Sequence, residues 1–152
     1  MRVAACLALA LVTACASNKP VPPAPPDLRA QATAFFEHYA VSLRNGERQR
    51  IASYYMPTGA TIIINGARRF STLAEIDARY RGAGWQPPAM FAWEGLEFEQ
   101  LNDRQVAATG HFRWLSAGQA DTTRMIYFGL LENTADGLRI RIEHETLAPR
   151  RR

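Results

Sequence analysis

The stretch MFAWEGLEFEQLNDRQVAATGHFRWLSAGQADTTRMIYFGLLENTADGLRIRIEHET, residues 90–146, decides the fold. It divides into four runs rich in aromatic and β-branched residues: Met90 to Gln100, Val106 to Ser116, Thr122 to Glu132 and Leu138 to Thr146. The breaks between them are short and made of turn formers: Leu101-Asn102-Asp103, Ala117-Gly118-Gln119 and Asn133-Thr134-Ala135-Asp136-Gly137. Long strands joined by short connections pair with their chain neighbours, so the run predicts an antiparallel meander.

Upstream the periodicity changes to that of helices. Asp27 is placed to cap a helix in which Ala34, Phe35, Tyr39 and Val41 recur at helical spacing, and Asn45-Gly46 closes it. A short helix from Glu47 to Tyr55 follows and stops before Pro57-Thr58-Gly59. Ala60 to Ile64 reads as a strand, Asn65-Gly66 as a tight hairpin turn, and Arg68 to Phe70 as the returning strand. Ser71-Thr72 with Glu75 in capping-box range begins a third helix that runs to about Arg81.

The chain has 152 residues, enough for one domain, and 47% of them are apolar, enough for an ordinary core. Its formal charge of +4 comes from the ends, at Arg2, Lys19 and Arg150 to Arg152. Between Asp27 and Glu145, thirteen basic residues face fourteen acidic ones, which excludes the basic face of a nucleic-acid-binding domain. We expect residues 27–149 to form the domain and 150–152 a solvated basic tail.

Residues 1–26 read as an address. Val3 to Val12 is an apolar run too short to span a bilayer, but it has the length of a secretory core. Val12-Thr13-Ala14-Cys15 after it resembles the lipobox of bacterial lipoproteins, which implies a signal peptide over 1–14 and diacylglycerol on the Cys15 thiol. Cys6 lies in the removed segment, so Cys15 has no disulfide partner in the mature chain. Ala16 rather than Asp after Cys15 implies the periplasmic face of the outer membrane. The prolines of 15–26 would form a semi-rigid spacer lifting the domain off the bilayer.

The order helix, helix, hairpin, helix and four long strands resembles the nuclear transport factor 2-like superfamily, which includes ketosteroid isomerase-like and SnoaL-like domains. Tyr54-Tyr55 ahead of Gly59-Ala60-Thr61, the run Phe70 to Ile76, and Leu138 to Thr146 carry the local likeness. Leu138-Arg139 stands where the family usually has Trp before a basic residue. The resemblance implies an α+β fold in which a cone-shaped, curved antiparallel sheet wraps the N-terminal helices around a pocket. It also implies homodimers formed through the outer face of the sheet, here expected to carry Phe91 or Trp93.

Alternation nominates residues for the pocket. Ile140 and Ile142 should face inward, which would carry His144 in with them and leave Glu143 and Glu145 outside. Phe112 and Trp114 share a face of their strand, and His111 lies on the other. With Tyr39, Tyr54 and Tyr55, these give a candidate ligand-binding set of Tyr39, Tyr54, Tyr55, Phe112, Trp114 and His144. By the resemblance to ketosteroid isomerase, Tyr39 falls at the hydrogen-bond donor and the base position falls among Ile62, Ile63 and Ile64, where there is no carboxylate. A His144-based catalyst would need a carboxylate partner, with Glu94 and Asp121 as remote candidates. There is no phosphate loop, no Cys-x-x-Cys and no His pair at metal spacing, so neither cofactor nor metal is expected. The sequence therefore favours a lipid-anchored, non-catalytic module binding a small apolar or aromatic ligand. A cofactor-free lyase or isomerase using His144 and Tyr39, and a protein-interaction module of an envelope assembly, are the alternatives.

Overall fold

The computed structural model describes residues 27–149. The leader, Cys15, the proline-rich segment and the basic tail lie outside the described residues. Helix α1 spans Leu28–Asn45, α2 Arg48–Ser53 and α3 Leu73–Arg81; the strands are β1 Ala60–Ile64, β2 Ala67–Ser71, β3 Met90–Gln100, β4 Gln105–Leu115, β5 Thr123–Thr134 and β6 Gly137–Leu147. The capping chemistry expected from the sequence is present. The Asp27 carboxylate accepts from the amides of Arg29 and Ala30, Gly46 closes α1 in the left-handed conformation, and Thr72 with Glu75 forms a reciprocal capping box on α3. Asn65 and Gly66 both adopt positive φ, as a two-residue hairpin turn requires.

All six strands join one sheet in the order β2-β1-β6-β5-β4-β3. The meander β3 to β6 is antiparallel throughout, whereas β1 runs parallel to β6, a pairing that local sequence does not reveal. Buried Phe35, Phe36, Tyr39, Ala40 and Leu43 of α1 pack into the concave face of the sheet. The helix is tied there by polar contacts as well: the Trp93 indole donates to the carbonyl of Phe36 at 3.1 Å and Arg44 to that of Phe91 at 3.2 Å. Helix α2 ends at Ser53, two residues sooner than expected, because the backbone of Tyr54 to Met56 bonds to Ile140 in β6.

Two bulges curve the sheet, and each reverses which side chains face inward. In β3 one extra residue lies between Glu94 and Glu97, so Phe91 and Trp93 point into the cone and the inward series resumes at Leu96 and Phe98. Phe91 and Trp93 are thus pocket residues, not the outer-face aromatics expected from the family resemblance. Apolar side chains exposed on the outer face include Ile126 and Phe128 of β5.

In β6 the pairs Leu130 with Ile142 and Leu131 with Ile140 leave Arg141 as the extra residue. Leu138 and Ile140 point inward before the bulge; after it, the inward residues are Glu143 and Glu145. Cross-strand partners confirm the new phase, since Glu143 pairs with buried Gly129 and Glu145 with buried Tyr127, while His144 pairs with half-exposed Phe128. His144 therefore lies on the outer face, and the expectation that it points into the pocket is corrected.

The bulge in β3 depends on a glycine opposite it. A Cβ on Gly110 would lie 2.9 Å from the carbonyl oxygen of Gly95 and 3.0 Å from the Cα of Leu96. Gly110→Ala should lower the unfolding free energy by about 2–4 kcal/mol in urea titrations, whereas Phe128→Ala on the outer face should cost well under half of that.

Candidate active site

The cone encloses a cavity of about 320 Å³, open at one end. Its walls are aromatic, built by Phe91 and Trp93 of β3, Phe112 and Trp114 of β4, and Trp85 from the loop after α3. Edge-to-face contacts hold these rings, with Phe91 against Trp93 at 4.9 Å and Trp93 against Phe112 at 5.5 Å between centroids. Arg48 fixes Trp85 from behind, donating to the carbonyls of Tyr80, Arg81, Gly82 and Trp85 and lying 5.3 Å over the indole ring.

Against this apolar wall stands a polar side made of Tyr39 of α1, Arg79 and Tyr80 of α3, and Glu145 of β6. Behind it is a buried hydrogen-bonded chain. The Tyr55 hydroxyl lies 3.0 Å from that of Tyr39 and 3.2 Å from that of Tyr80, and donates to Glu143 Oε2 at 2.7 Å. Arg79 donates to the Tyr80 hydroxyl at 3.1 Å. Glu143 Oε1 and the Tyr127 hydroxyl are buried close to each other and outside this hydrogen-bonded chain, without a hydrogen bond of good geometry. Gly129 makes room for that phenol, because a Cβ there would sit 2.7 Å from the hydroxyl oxygen.

Electrostatics follow from this packing. Burial raises the pKa of Glu143, opposed by the hydrogen bond from Tyr55 and the charge of Arg79. Glu145 is pushed up to about 8, first by burial and then by repulsion from Glu143, with Arg79 pulling the other way. Burial followed by the proximity of Glu143 also holds Tyr39, Tyr55 and Tyr127 well above the usual phenol range. Among the described residues no three His, Cys, Asp or Glu side chains gather into a metal-ligating group.

The residues nominated by sequence are distributed accordingly. Tyr39, Phe112 and Trp114 line the cavity. Tyr55 stands behind them as the link between Tyr39 and Glu143. Tyr54 turns away, its hydroxyl 3.2 Å from Ser42. His144 is outside, and neither proposed acid reaches it: Glu94 is held by Arg113 at 2.6 Å and Arg124 at 2.7 Å, and Asp121 is exposed. Sequence reasoning missed Arg79, Tyr80, Glu143 and Glu145. The signal was the pair of acids at i and i+2 in β6, but strict alternation placed it on the wrong face.

No protein-family model matches this sequence, and no curated protein matches it significantly. Solved structures do. A protein of unknown function from Shewanella oneidensis superposes with a TM-score of 0.68 over 77% of this chain and 97% of that one, at 16% identity, and is described as NTF-2 like. The chain has the nuclear transport factor 2-like fold. A ketosteroid isomerase-like protein from Erwinia carotovora shares this fold at a TM-score of 0.64 and 12% identity, covering 82% of this chain and 98% of that one. So does a hexachlorocyclohexane dehydrochlorinase from Novosphingobium barchaimii, at 0.63 and 12%, covering 80% and 87%.

The raised carboxyls make a stability prediction with a definite sign. A carboxyl whose folded pKa exceeds its unfolded value favours the folded state most fully below the unfolded value near 4.5; for Glu145 that stability is lost as pH rises through its folded pKa near 8, and Glu143, also raised, acts in the same direction. Chemical denaturation should therefore show the domain losing on the order of 3 kcal/mol between pH 5 and pH 9. The groups facing the pair are Arg79, Tyr39, Tyr55, Tyr80 and Tyr127, none of which changes charge across that window. Glu145→Gln should flatten the profile; an unchanged slope in that variant would refute the assignment.

Proposed function

We propose that this domain is a cofactor-free acid–base catalyst, an isomerase or lyase that moves a proton at an activated carbon of a small, largely apolar molecule. The observation that carries the reading is Glu145, a carboxyl with a pKa near 8 facing an aromatic cavity that Tyr39 and Tyr80 also line. A carboxylate with that proton affinity is a stronger base than an ordinary one and is still partly ionised at neutral pH. The base missing from β1 is supplied one strand away, because Ile64 pairs directly with Glu145. An isomerase-like protein and a dehydrochlorinase share the fold, which is compatible with this reading. A cone with an open cavity also favours a small ligand over a purely structural role.

The tyrosine chain gives the cavity a donor whose direction depends on Glu143. With Glu143 ionised, Tyr55 spends its only proton on the carboxylate and accepts from Tyr39 or Tyr80. With Glu143 protonated, as burial favours, the acid can donate to Tyr55, Tyr55 to Tyr39, and Tyr39 into the cavity. In the proposed reaction Glu145 takes a proton from a carbon next to a carbonyl, and the negative charge moves to the carbonyl oxygen. Tyr39 stabilises that oxygen by its hydrogen bond. Glu145 then returns the proton to another carbon, or a leaving group departs with the electron pair.

The test is solvent-deuterium incorporation, followed by NMR, into a panel of cyclic and aryl ketones. Wild type should exchange faster than buffer, with a rate that rises toward pH 8. Tyr39→Phe should slow it by about 10²–10³ and Glu145→Gln by at least about 10². Exchange that survives Glu145→Gln would sink the catalytic reading, and ligand binding with no exchange would return the domain to the class of binding modules.

We further propose that the domain is displayed on the periplasmic face of the outer membrane through acylated Cys15. The support is Val12-Thr13-Ala14-Cys15, and no described helix is long and apolar enough to cross a membrane. Cys15→Ala should move the protein from the membrane pellet to the soluble periplasmic fraction. A variant that still sediments with membranes would overturn the lipid anchor.

A further inference from the structure

We infer that the cavity's ligand is an organic anion, a flat apolar body carrying one carboxylate that is held by Arg79 at the cavity mouth. The inference rests on the cavity being the ligand site and adds the chemical class of what enters it.

Arg79 stands apart from the other arginines around α3. Arg81 pairs with Asp77 at 2.6 Å and Arg69 with Glu75 at 2.9 Å, each at the helix surface. Arg79 borders the cavity instead, and no carboxylate among the described residues lies within ion-pairing distance of it. Its guanidinium lies 5.0 Å over the Tyr80 ring and donates one hydrogen bond, to the Tyr80 hydroxyl. A guanidinium has five N–H donors in a rigid fork suited to the two oxygens of a carboxylate, so most of that capacity has no protein partner.

The acids nearby do not meet this demand. Glu143 is sealed behind Tyr55, which takes up one of its oxygens. Glu145 shares the cavity, but its burial beside Glu143 keeps it mostly protonated at neutral pH. The mouth thus combines a fixed cation, a neutral acid and aromatic walls. An uncharged ligand would leave the charge of the guanidinium without a counter-ion. A ligand carboxylate would add a charge-assisted, bidentate contact at one end and leave its apolar body on Trp93, Phe112 and Trp114. It would also anchor the molecule while leaving Glu145 free of an ion pair.

The competing account is that Arg79 serves only to temper the two acids, which its charge also does. Both accounts expect Arg79→Gln to raise the pKa of Glu145; only the anion site expects a change in ligand preference. Matched probes separate them: 2-naphthoate and its uncharged isostere 2-naphthamide, titrated below the pKa of Glu145 and followed by quenching of the cavity tryptophans. Wild type should bind the naphthoate about tenfold or more tighter than the amide, with a preference that weakens in high salt. Arg79→Gln should weaken the naphthoate far more than the amide and so erase the preference, and Arg79→Lys should keep part of it. Equal affinities in wild type, or a preference that persists in Arg79→Gln, would overturn the inference while the cavity reading stands. If neither probe quenches any tryptophan, the cavity reading falls with it.

Discussion

Between Leu138 and Leu147 the last strand carries one residue more than its partner β5 can match, and Arg141 absorbs the surplus as a bulge. Side chains in a strand alternate with a period of two, so one unpaired residue exchanges the two faces for everything that follows. Without the bulge, His144 would occupy the cone and the two glutamates would be solvated. With it, Glu145 faces a cavity walled by tryptophan and phenylalanine and Glu143 is buried behind Tyr55, both where ionisation is disfavoured. Every unusual property of the interior follows from that exchange: the raised acids, the tyrosines turned toward them, and an arginine at the mouth with no carboxylate partner among the described residues.

The fold tolerates this because the surroundings supply hydrogen bonds where they are most needed. The backbone of Tyr54 and Met56 is stitched to Ile140 just before the bulge, and this sets Tyr55 within reach of Glu143. The parallel pairing of β1 with β6 covers the other side with Ile62 and Ile64, opposite Glu143 and Glu145. A buried carboxyl with one oxygen well bonded and the other poorly bonded is a costly feature of the fold. Such strain is concentrated where chemistry is performed, and here it lies beside the largest aromatic cluster of the molecule.

The β3 bulge does for the apolar wall what the β6 bulge does for the acids. It turns Phe91 and Trp93 inward and lets Leu96 and Phe98 continue the core below them. The two devices act on opposite ends of the meander, so the cavity is bounded by one re-phased strand on each side. Arg48 completes the enclosure by holding the loop of Trp85 through four carbonyls.

The sequence alone determined what depends on local chemistry. Asp27, Gly46, Asn65-Gly66 and the Thr72–Glu75 box mark element ends by their own hydrogen bonds and backbone preferences, and the four strands after Met90 are bounded by turn formers. These features specified the α+β architecture and much of the aromatic wall, including Phe112 and Trp114, together with Tyr39. What only the tertiary structure decided is which face each strand presents past a bulge. A bulge arises from the mismatch between two strands in length and curvature, a property of the pair that neither strand encodes alone. For that reason His144 read as a pocket residue and Glu143 and Glu145 as surface charge, and the gathering of Tyr80, Arg79, Tyr55 and the two acids from three separate segments became visible only once the sheet had closed around α1.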